Sequence, residues 1–324
     1  MKNYPLTRRA FITGAAALSG LAARACLAGE RPDRRFFAGH ALPLGLQLYT
    51  LGEAPYRDLE GTLQAVAAIG YRTVETVGLM NRTAPELRAA LDRAGLSCPS
   101  AHVPIEASGP GPTLSGDIAK LSADMHRVGI EYVVVPILPV PARFGSPRKG
   151  EEGGRFLSRV ARQMSAGEWR QTAELLEEKG AALKREGLKL AYHNHNIEFV
   201  ATGSQRGYDL LLENTGADTV WFEMDVGWVA AAGVDPIPLL RAHRNRFRLM
   251  HIKDLRASTV PNRDFRMDPA DVGAGSLDWR ALLPAGYEAG VRYYYVEQEP
   301  PFPASRLDAA RADYEYLARL TAPV

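Results

Sequence analysis

Cysteine and net charge are both scarce in this sequence. Two cysteines, Cys26 and Cys98, occur in 324 residues. A count this low excludes a disulfide-stapled miniprotein, and removal of residues 1–28 would leave Cys98 without an internal partner. The 39 Lys and Arg residues nearly balance the 37 Asp and Glu residues, for a net charge of +2. This balance argues against nucleic-acid binding, and a hydrophobic content of 46% favours a globular protein with a large core.

Long apolar runs are also missing. The run Ala10–Ala23 is shorter than the roughly 20 residues of a membrane-spanning helix, so we expect no permanent membrane span. It follows Thr7–Ile12, which contains paired arginines and resembles a twin-arginine export signal. We therefore expect a signal peptide over residues 1–28, a linker over 29–40, and a periplasmic or secreted protein that passes through the twin-arginine export machinery. A general secretory signal is the alternative, and cleavage after Ala25 or Ala28 is equally compatible with the sequence.

The rest of the chain alternates short apolar runs with amphipathic stretches, which is the pattern of successive βα units. The predicted strands are Leu44–Tyr49, Thr73–Val77, Ser97–Val103, Tyr132–Ile137, Leu188–His193, Thr219–Met224, Phe247–Ile252 and Tyr293–Glu297.

Helix signals separate these strands. Thr83–Glu86 and Ser165–Glu168 match the capping-box pattern, and Gly95 and Gly187 stand where helices would end. The long interruption 138–166 predicts a loop with a short helix near Phe156–Gln163. Together the units predict one (β/α)8 TIM-barrel domain over residues 41–324. An open doubly wound sheet is disfavoured because no G-x-G-x-x-G follows the first strand.

Titratable residues stand at the ends of the last four predicted strands. In a TIM barrel these ends meet at one face, and residues two apart share a side of a strand. The pairs are His193 and His195, Glu223 and Asp225, His251 and Lys253, and Glu297 and Glu299. Any one such residue is more often a hydrogen-bonded structural group than a ligand, but four successive strands ending this way indicate a metal site. Mixed imidazole and carboxylate donors favour Mn, Co, Fe or Zn over Mg.

At these strand ends the sequence resembles the sugar phosphate isomerase/epimerase family, whose fold is a xylose-isomerase-like TIM barrel. The motifs that carry the resemblance run in order from Leu44 to the C-terminus: Tyr192-His193-Asn194-His195 with Glu198-Phe199, Met224-Asp225-Val226-Gly227-Trp228, His251-Ile252-Lys253-Asp254, Val272-Gly273-Ala274-Gly275 with Asp278-Trp279, and Val296-Glu297-Gln298-Glu299.

The resemblance implies four metal ligands on strands five to eight, which fall on His193, Asp225, His251 and Glu297. His193 departs from the family, since many members have glutamate there; His195 is the alternative ligand from this strand. The departure puts an epimerisation by two carboxylates in doubt.

The resemblance further implies removal of a proton next to a carbonyl, with the metal holding two sugar oxygens. Glu297 would be ligand and base, with Lys253 as electrostatic or acid partner. His195, His102 and Glu75 would contact substrate hydroxyls, and Trp228 would stack on an apolar sugar face. For Glu75 and Lys253 the competing interpretation is a structural ion pair. For Trp228 the competing interpretation is packing in the core.

We expect a metal-dependent isomerase or epimerase that acts on a non-phosphorylated sugar or keto-sugar, because an exported protein would not meet cytoplasmic sugar phosphates. A lyase or dehydratase acting on an oxidised sugar or glycoside is the first alternative. A non-catalytic sugar-binding protein on the same scaffold is the second. A monomer or dimer is expected.

Overall fold

The structure, a computed structural model, describes residues 34–106 and 111–321. The predicted signal peptide lies outside the described residues, so its export function stays a prediction.

A closed barrel of eight parallel strands forms the centre of the fold, as predicted. We number the strands in chain order: β1 Leu44–Gln47, β2 Thr73–Val77, β3 Ser97–His102, β4 Tyr132–Val135, β5 Lys189–His193, β6 Val220–Asp225, β7 Phe247–Ile252 and β8 Tyr293–Val296. Each strand pairs with the next, and β8 pairs with β1, so this sheet has no edge.

Helices follow the strands on the outside of the barrel. The numbered helices are α1 Leu59–Ile69, α2 Ala84–Ala94, α3 Ile118–Val128, α4 Gly153–Gln163, α5 Ala166–Arg185, α6 Gly207–Glu213, α7 Val226–Ala231, α8 Pro236–Ala242, α9 Trp279–Ala289 and α10 Arg306–Arg319. Four-residue helices at Phe36–Gly39 and Ala54–Arg57 and 3-10 turns at Leu48–Leu51, Ala142–Phe144 and Ile197–Phe199 complete the helical elements of the described residues.

The local signals explain these boundaries. Thr83 and Glu86 form the predicted capping box of α2, and Ser165 and Glu168 form that of α5. The left-handed φ of +66° at Gly95 ends α2 at little steric cost. The predicted short helix near Phe156–Gln163 is α4, which begins three residues earlier, at Gly153.

The barrel domain begins before residue 41, which shortens the linker expected over 29–40. Phe36 and Phe37 are buried, and both rings pack edge-on against Tyr294 of β8. The Phe36 N–H donates to the carbonyl of Leu320 at 2.9 Å. Apolar burial of two phenylalanines therefore overrides the polar, Arg-rich appearance of this stretch.

Glycine 45 allows the barrel to close. A Cβ at this position would lie 2.4 Å from the Tyr295 ring and 2.8 Å from the Tyr294 carbonyl oxygen, both on β8. These distances are shorter than van der Waals contact, so only glycine lets β1 lie this close to β8.

Among the described residues, no helix combines the length and the apolar character needed to cross a membrane.

Candidate active site

The predicted site residues come together at the carboxyl end of the barrel. His193, Asp225, His251 and Glu297 each offer a ligand atom, and these four atoms lie within 4.8 Å of one another. We call these four residues the outer cluster. All are buried, with Glu297 the most accessible at 6% exposed. His195 is not among them, so His193 supplies the strand-five donor in this geometry.

A second group lies beside the outer cluster and shares two of its histidines. His102, His193, Glu223 and His251 also have ligand atoms within 4.8 Å. Glu223 Oε2 lies 3.1 Å from His102 Nε2, 3.0 Å from His193 Nδ1 and 3.2 Å from His251 Nε2. One carboxylate oxygen therefore orients three imidazoles.

His251 stands between two sets of carboxylates. Its Nδ1 lies 2.9 Å from Glu297 Oε2, and its Nε2 lies 2.7 Å from Glu75 Oε2. Gln47 of β1 donates to the same Glu75 oxygen at 2.9 Å. Glu75 is fully buried, so it positions His251 and does not reach a ligand in the barrel mouth.

Lys253 is a fixed positive charge beside the outer cluster. Its Nζ lies 2.8 Å from Glu297 Oε2, 3.0 Å from Asp225 Oδ2 and 3.3 Å from Glu299 Oε1. Burial by itself would lower the pKa of Lys253, but these carboxylates outweigh it and raise the pKa well above the ordinary value. Lys253 therefore stays protonated, and its ion-pair partners are Asp225, Glu297 and Glu299; Glu75 contacts His102 and His251 instead.

The carboxylates also divide the histidines into two kinds. Burial lowers the pKa of His193 and that of His195. For His102, Glu75 and Glu223 outweigh burial and raise the pKa to about 9. Burial raises the pKa of Glu297, but Lys253 and His251 reverse this and hold it well below the ordinary value. The site thus contains a carboxylate without its proton and an imidazole, His102, that carries one.

Aromatic rings cover the side of the site that faces β6 and β7. The Phe265 ring stacks on His195 at 4.4 Å between centroids, and Trp228 lies 5.2 Å from Phe265. Lys253 Nζ lies 5.1 Å from the centre of the Trp228 ring. Trp228 is only 3% exposed, so in this structure it packs against Lys253 and Phe265.

The donor set fits a divalent cation. Asp225 Oδ1 caps α7 by accepting the Trp228 N–H at 2.9 Å, while the buried Oδ2 has no hydrogen-bond donor in good geometry among the described residues. The site holds five carboxylates: Asp225, Glu297 and Glu299 contact Lys253, whereas Glu75 and Glu223 contact His102 and His251. A site this rich in carboxylates gains from added positive charge, and its two imidazoles suit a transition metal.

Sequence reasoning missed several residues that shape the site. Glu223 was noted only as a neighbour of Asp225, and Gln47 and Phe265 gave no signal, since hydrogen bonding to Glu75 and stacking on His195 depend on strand stagger and loop path. Trp279 of the Asp278-Trp279 motif lies fully buried, and its Nε1 donates to Asp254 at 2.8 Å.

The fold is that of one family. The model of the xylose isomerase-like TIM barrel family matches residues 63–320, and this chain belongs to that family.

Curated relatives include inosose dehydratases. That of Geobacillus kaustophilus is 25% identical over 204 residues, which cover 60% of this chain and 61% of the relative. That of Salmonella typhimurium is 31% identical over 153 residues, 42% of this chain and 49% of the relative. The chain thus spans less than two thirds of the length of these relatives.

Solved structures share the fold. A sugar phosphate isomerase/epimerase from Parabacteroides distasonis superposes with a TM-score of 0.68 at 23% identity, covering 86% of this chain and 93% of the other. The IolI protein with a bound zinc atom gives a TM-score of 0.57 at 16% identity, covering 85% of this chain and 96% of the other.

Proposed function

We propose that this chain is a divalent-metal-dependent enzyme that removes the proton next to the carbonyl of an uncharged keto-sugar or keto-polyol and then expels a neighbouring hydroxyl as water. The observation that carries the proposal is that Glu297 and His102 both contact His251. Glu297 Oε2 lies 2.9 Å from His251 Nδ1, at the edge of the ring, and the His102 ring stacks on the face of His251 at 5.5 Å. A base and an acid therefore lie beside the same candidate metal ligand.

Each group has one part in the reaction. Glu297 takes the proton from carbon, Lys253 balances the charge on Glu297, and His102 gives a proton to the leaving hydroxyl. The C–H and C–O bonds break, a C=C bond forms, and water leaves. The four residues of the outer cluster would hold a divalent cation, which would supply positive charge next to the oxygen that becomes negative when the proton leaves.

We propose an uncharged substrate because an exported protein would not meet cytoplasmic sugar phosphates. The inosose dehydratase relatives support loss of water as the outcome, because their name describes elimination from a ketone of a cyclic polyol.

Aldose–ketose isomerisation is a second candidate. Of the outer-cluster carboxylates, only Glu297 is accessible at all, and Asp225 is fully buried. One carboxylate that removes and returns a proton is sufficient for isomerisation, whereas epimerisation needs a base on each face of the carbon. His193 stands where the second carboxylate would be, so epimerisation is the less favoured outcome.

The test is product analysis with protein loaded with Mn²⁺ or Co²⁺ in deuterated water. The substrates are an inosose, D-xylose and D-glucose. A product lighter by one water supports the dehydratase, and an isomer of unchanged composition that carries deuterium supports the isomerase. Glu297→Gln should slow either reaction by about 10²–10⁴-fold, whereas Glu315→Gln on the exposed side of α10 should not. Absence of both products and of deuterium incorporation would favour the sugar-binding alternative.

A further inference from the structure

A cavity of about 710 Å³ opens beside the active site, between the loop that follows β2 and the segment that leads into α3. His102 is the one residue of the two metal-binding groups that lines it. The Gly78 N–H donates to the carbonyl of His102 at 2.8 Å, which ties the cavity wall to the end of β3. The cavity therefore begins at the active site and extends away from it.

The cavity is larger than a single sugar ring would need. At the liquid-water volume of about 30 Å³ per heavy atom, a generous allowance for a dense ring, the roughly 12 heavy atoms of a hexose take up about 360 Å³. The reacting ring must also lie over the outer cluster, whose four residues do not line the cavity. Space for a second group of comparable size remains on the His102 side.

The lining indicates an uncharged, partly apolar occupant. One wall is apolar, formed by Val77, Leu79, Met80, Pro104 and Pro112. The rim carries both charges: Arg82 and Lys120 are matched by Asp117 and Asp124, and Lys120 pairs with Asp124 at 2.6 Å. The rim charges are therefore balanced, and Glu75 and Glu223 compensate the positive charge of His102, so the lining favours an uncharged occupant.

The backbone of this wall is held in an unusual conformation. Met80 and Asn81 have φ of +54° and +55°, which is uncommon for residues with a side chain. The Met80 side chain is buried, and its Sδ accepts the Val77 N–H at 3.4 Å. Asn81 is exposed at the cavity, and its side-chain amide has no hydrogen-bond partner among the described residues. Strained turns of this kind cluster at ligand clamps, and a free amide is suited to a hydroxyl group.

We propose that this cavity is a binding subsite for an uncharged substituent carried by the reacting sugar, so that the substrate is a glycoside and not a free monosaccharide. The proposal rests on the proposed function, in that the reacting ring lies over the outer cluster. Recognition of the substituent does not require turnover, so a binding measurement alone can test it.

A second cavity provides a matched control. It has about 840 Å³ and is lined by α4 and the loop that carries Phe265, with Arg155, Arg159, Arg162 and Arg266 around it. It shares no lining residue with the first cavity. A large side chain placed there changes the surface near the barrel mouth without filling the proposed subsite.

Calorimetric titration of the metal-loaded chain with D-glucose, phenyl β-D-glucoside and cellobiose tests the proposal. We expect at least one of the two glucosides to bind tenfold or more tightly than glucose. Preference for the phenyl glucoside alone identifies an aromatic substituent, and preference for cellobiose alone identifies a second sugar. Leu79→Trp and Thr113→Trp should each remove the preference while glucose binding is unchanged, and Arg155→Trp should retain it.

Equal affinity for the three sugars, absence of binding by all of them, or a preference that survives both cavity-filling variants would overturn the proposal. Failure of the dehydration assay with this preference intact would overturn only the proposed chemistry. Turnover of a free inosose without the preference would overturn only the subsite.

Discussion

Glu223 is the residue on which the geometry of the histidines depends most. Its Oε2 contacts the rings of His102, His193 and His251, and Glu75 adds a second contact to His251 Nε2. With His251 Nε2 held on this side, its Nδ1 faces Glu297 and Asp225. A buried carboxylate that sets the orientation of a ligand also raises its basicity.

Glu223→Gln should therefore weaken metal binding by about 10–100-fold, although Glu223 lies outside the outer cluster. Competition with a chromogenic chelator measures the affinity. Glu178→Gln, at a surface position that pairs with Lys179, is the control and should have no effect. An unchanged affinity in Glu223→Gln would show that the histidines hold their orientation without it.

Asp313 predicts a pH dependence that is separate from the site. Its Oδ1 accepts the Val272 N–H at 2.7 Å, while Oδ2 is buried without a hydrogen-bond partner among the described residues. Burial, with Asp271 and Asp254 adding to it, raises the pKa of Asp313 from 3.8 to about 8. Between those values the folded chain holds a proton that the unfolded chain has lost, so this group makes stability fall as pH rises from about 4 to 8.

Asp313→Asn should flatten this part of the profile, because asparagine does not ionise. We expect the Tm of the variant minus that of the wild type to increase as pH rises from 5 to 9. This difference should be largest above pH 8. Asp92→Asn, at an exposed position on α2, is the control. Parallel Tm profiles for wild type and Asp313→Asn would contradict the prediction.

At the scale of elements, the buried amide of Asn196 is one of the anchors that hold the loop 262–266 over the barrel mouth. An Arg162–Asp264 ion pair and a hydrogen bond from the Asn262 N–H to the Ala231 carbonyl are others. Asn196 Oδ1 accepts the Phe265 N–H at 3.1 Å, and its Nδ2 donates to Asn262 Oδ1 at 3.0 Å. Phe265 has φ of +56°, a conformation that costs about 1–3 kcal/mol and requires support from its surroundings. Asn196 thus links the end of β5 to the loop that covers His195.

Asn196→Ala should release this loop. Trypsin then reaches Arg263 and Arg266, and we expect cleavage in this segment to be at least tenfold faster, with metal content unchanged because the outer cluster is intact. Asn214→Ala, which removes a hydrogen bond from the side-chain amide to the Leu210 carbonyl at the end of α6, is the matched control. Equal cleavage rates in the two variants would mean that other contacts hold the loop.

The elements could be predicted from sequence more fully than the site. All eight strands lie where the apolar runs placed them, because each strand is buried in the barrel and lies between helices with their own start and stop signals. The strand ends could be predicted for the same reason. Alternation left two candidates on each strand, and the family resemblance pointed to His193, Asp225, His251 and Glu297 among them. The depth of Glu223 and the path of the loop 262–266 depend on strand stagger and on contacts distant in sequence, which a single sequence does not reveal.

At the scale of the whole molecule, a cation that binds only the folded barrel should stabilise it. A metal at one hundred times its Kd contributes about 2.7 kcal/mol, which for a domain of this size corresponds to roughly 5 °C in Tm. Removal of metal with a chelator should lower the Tm by about this amount and return of Mn²⁺ or Zn²⁺ should restore it, as followed by scanning calorimetry. The Tm of His251→Ala should not depend on metal. A metal-dependent Tm shift of the same size in that variant would mean that the stabilising cation binds elsewhere.

The first and last described segments of the chain pair with each other, and this has a consequence for chain connectivity. Arg35 and Thr321 form an isolated antiparallel bridge, and the Phe36 N–H donates to Leu320 beside it. A circular permutant that joins these ends by a short glycine linker and opens the chain in the exposed stretch Gly145–Gly150 would keep every neighbour of every strand. Such a chain should fold and hold the same metal, because the order in which the strands are synthesised is immaterial to a closed ring.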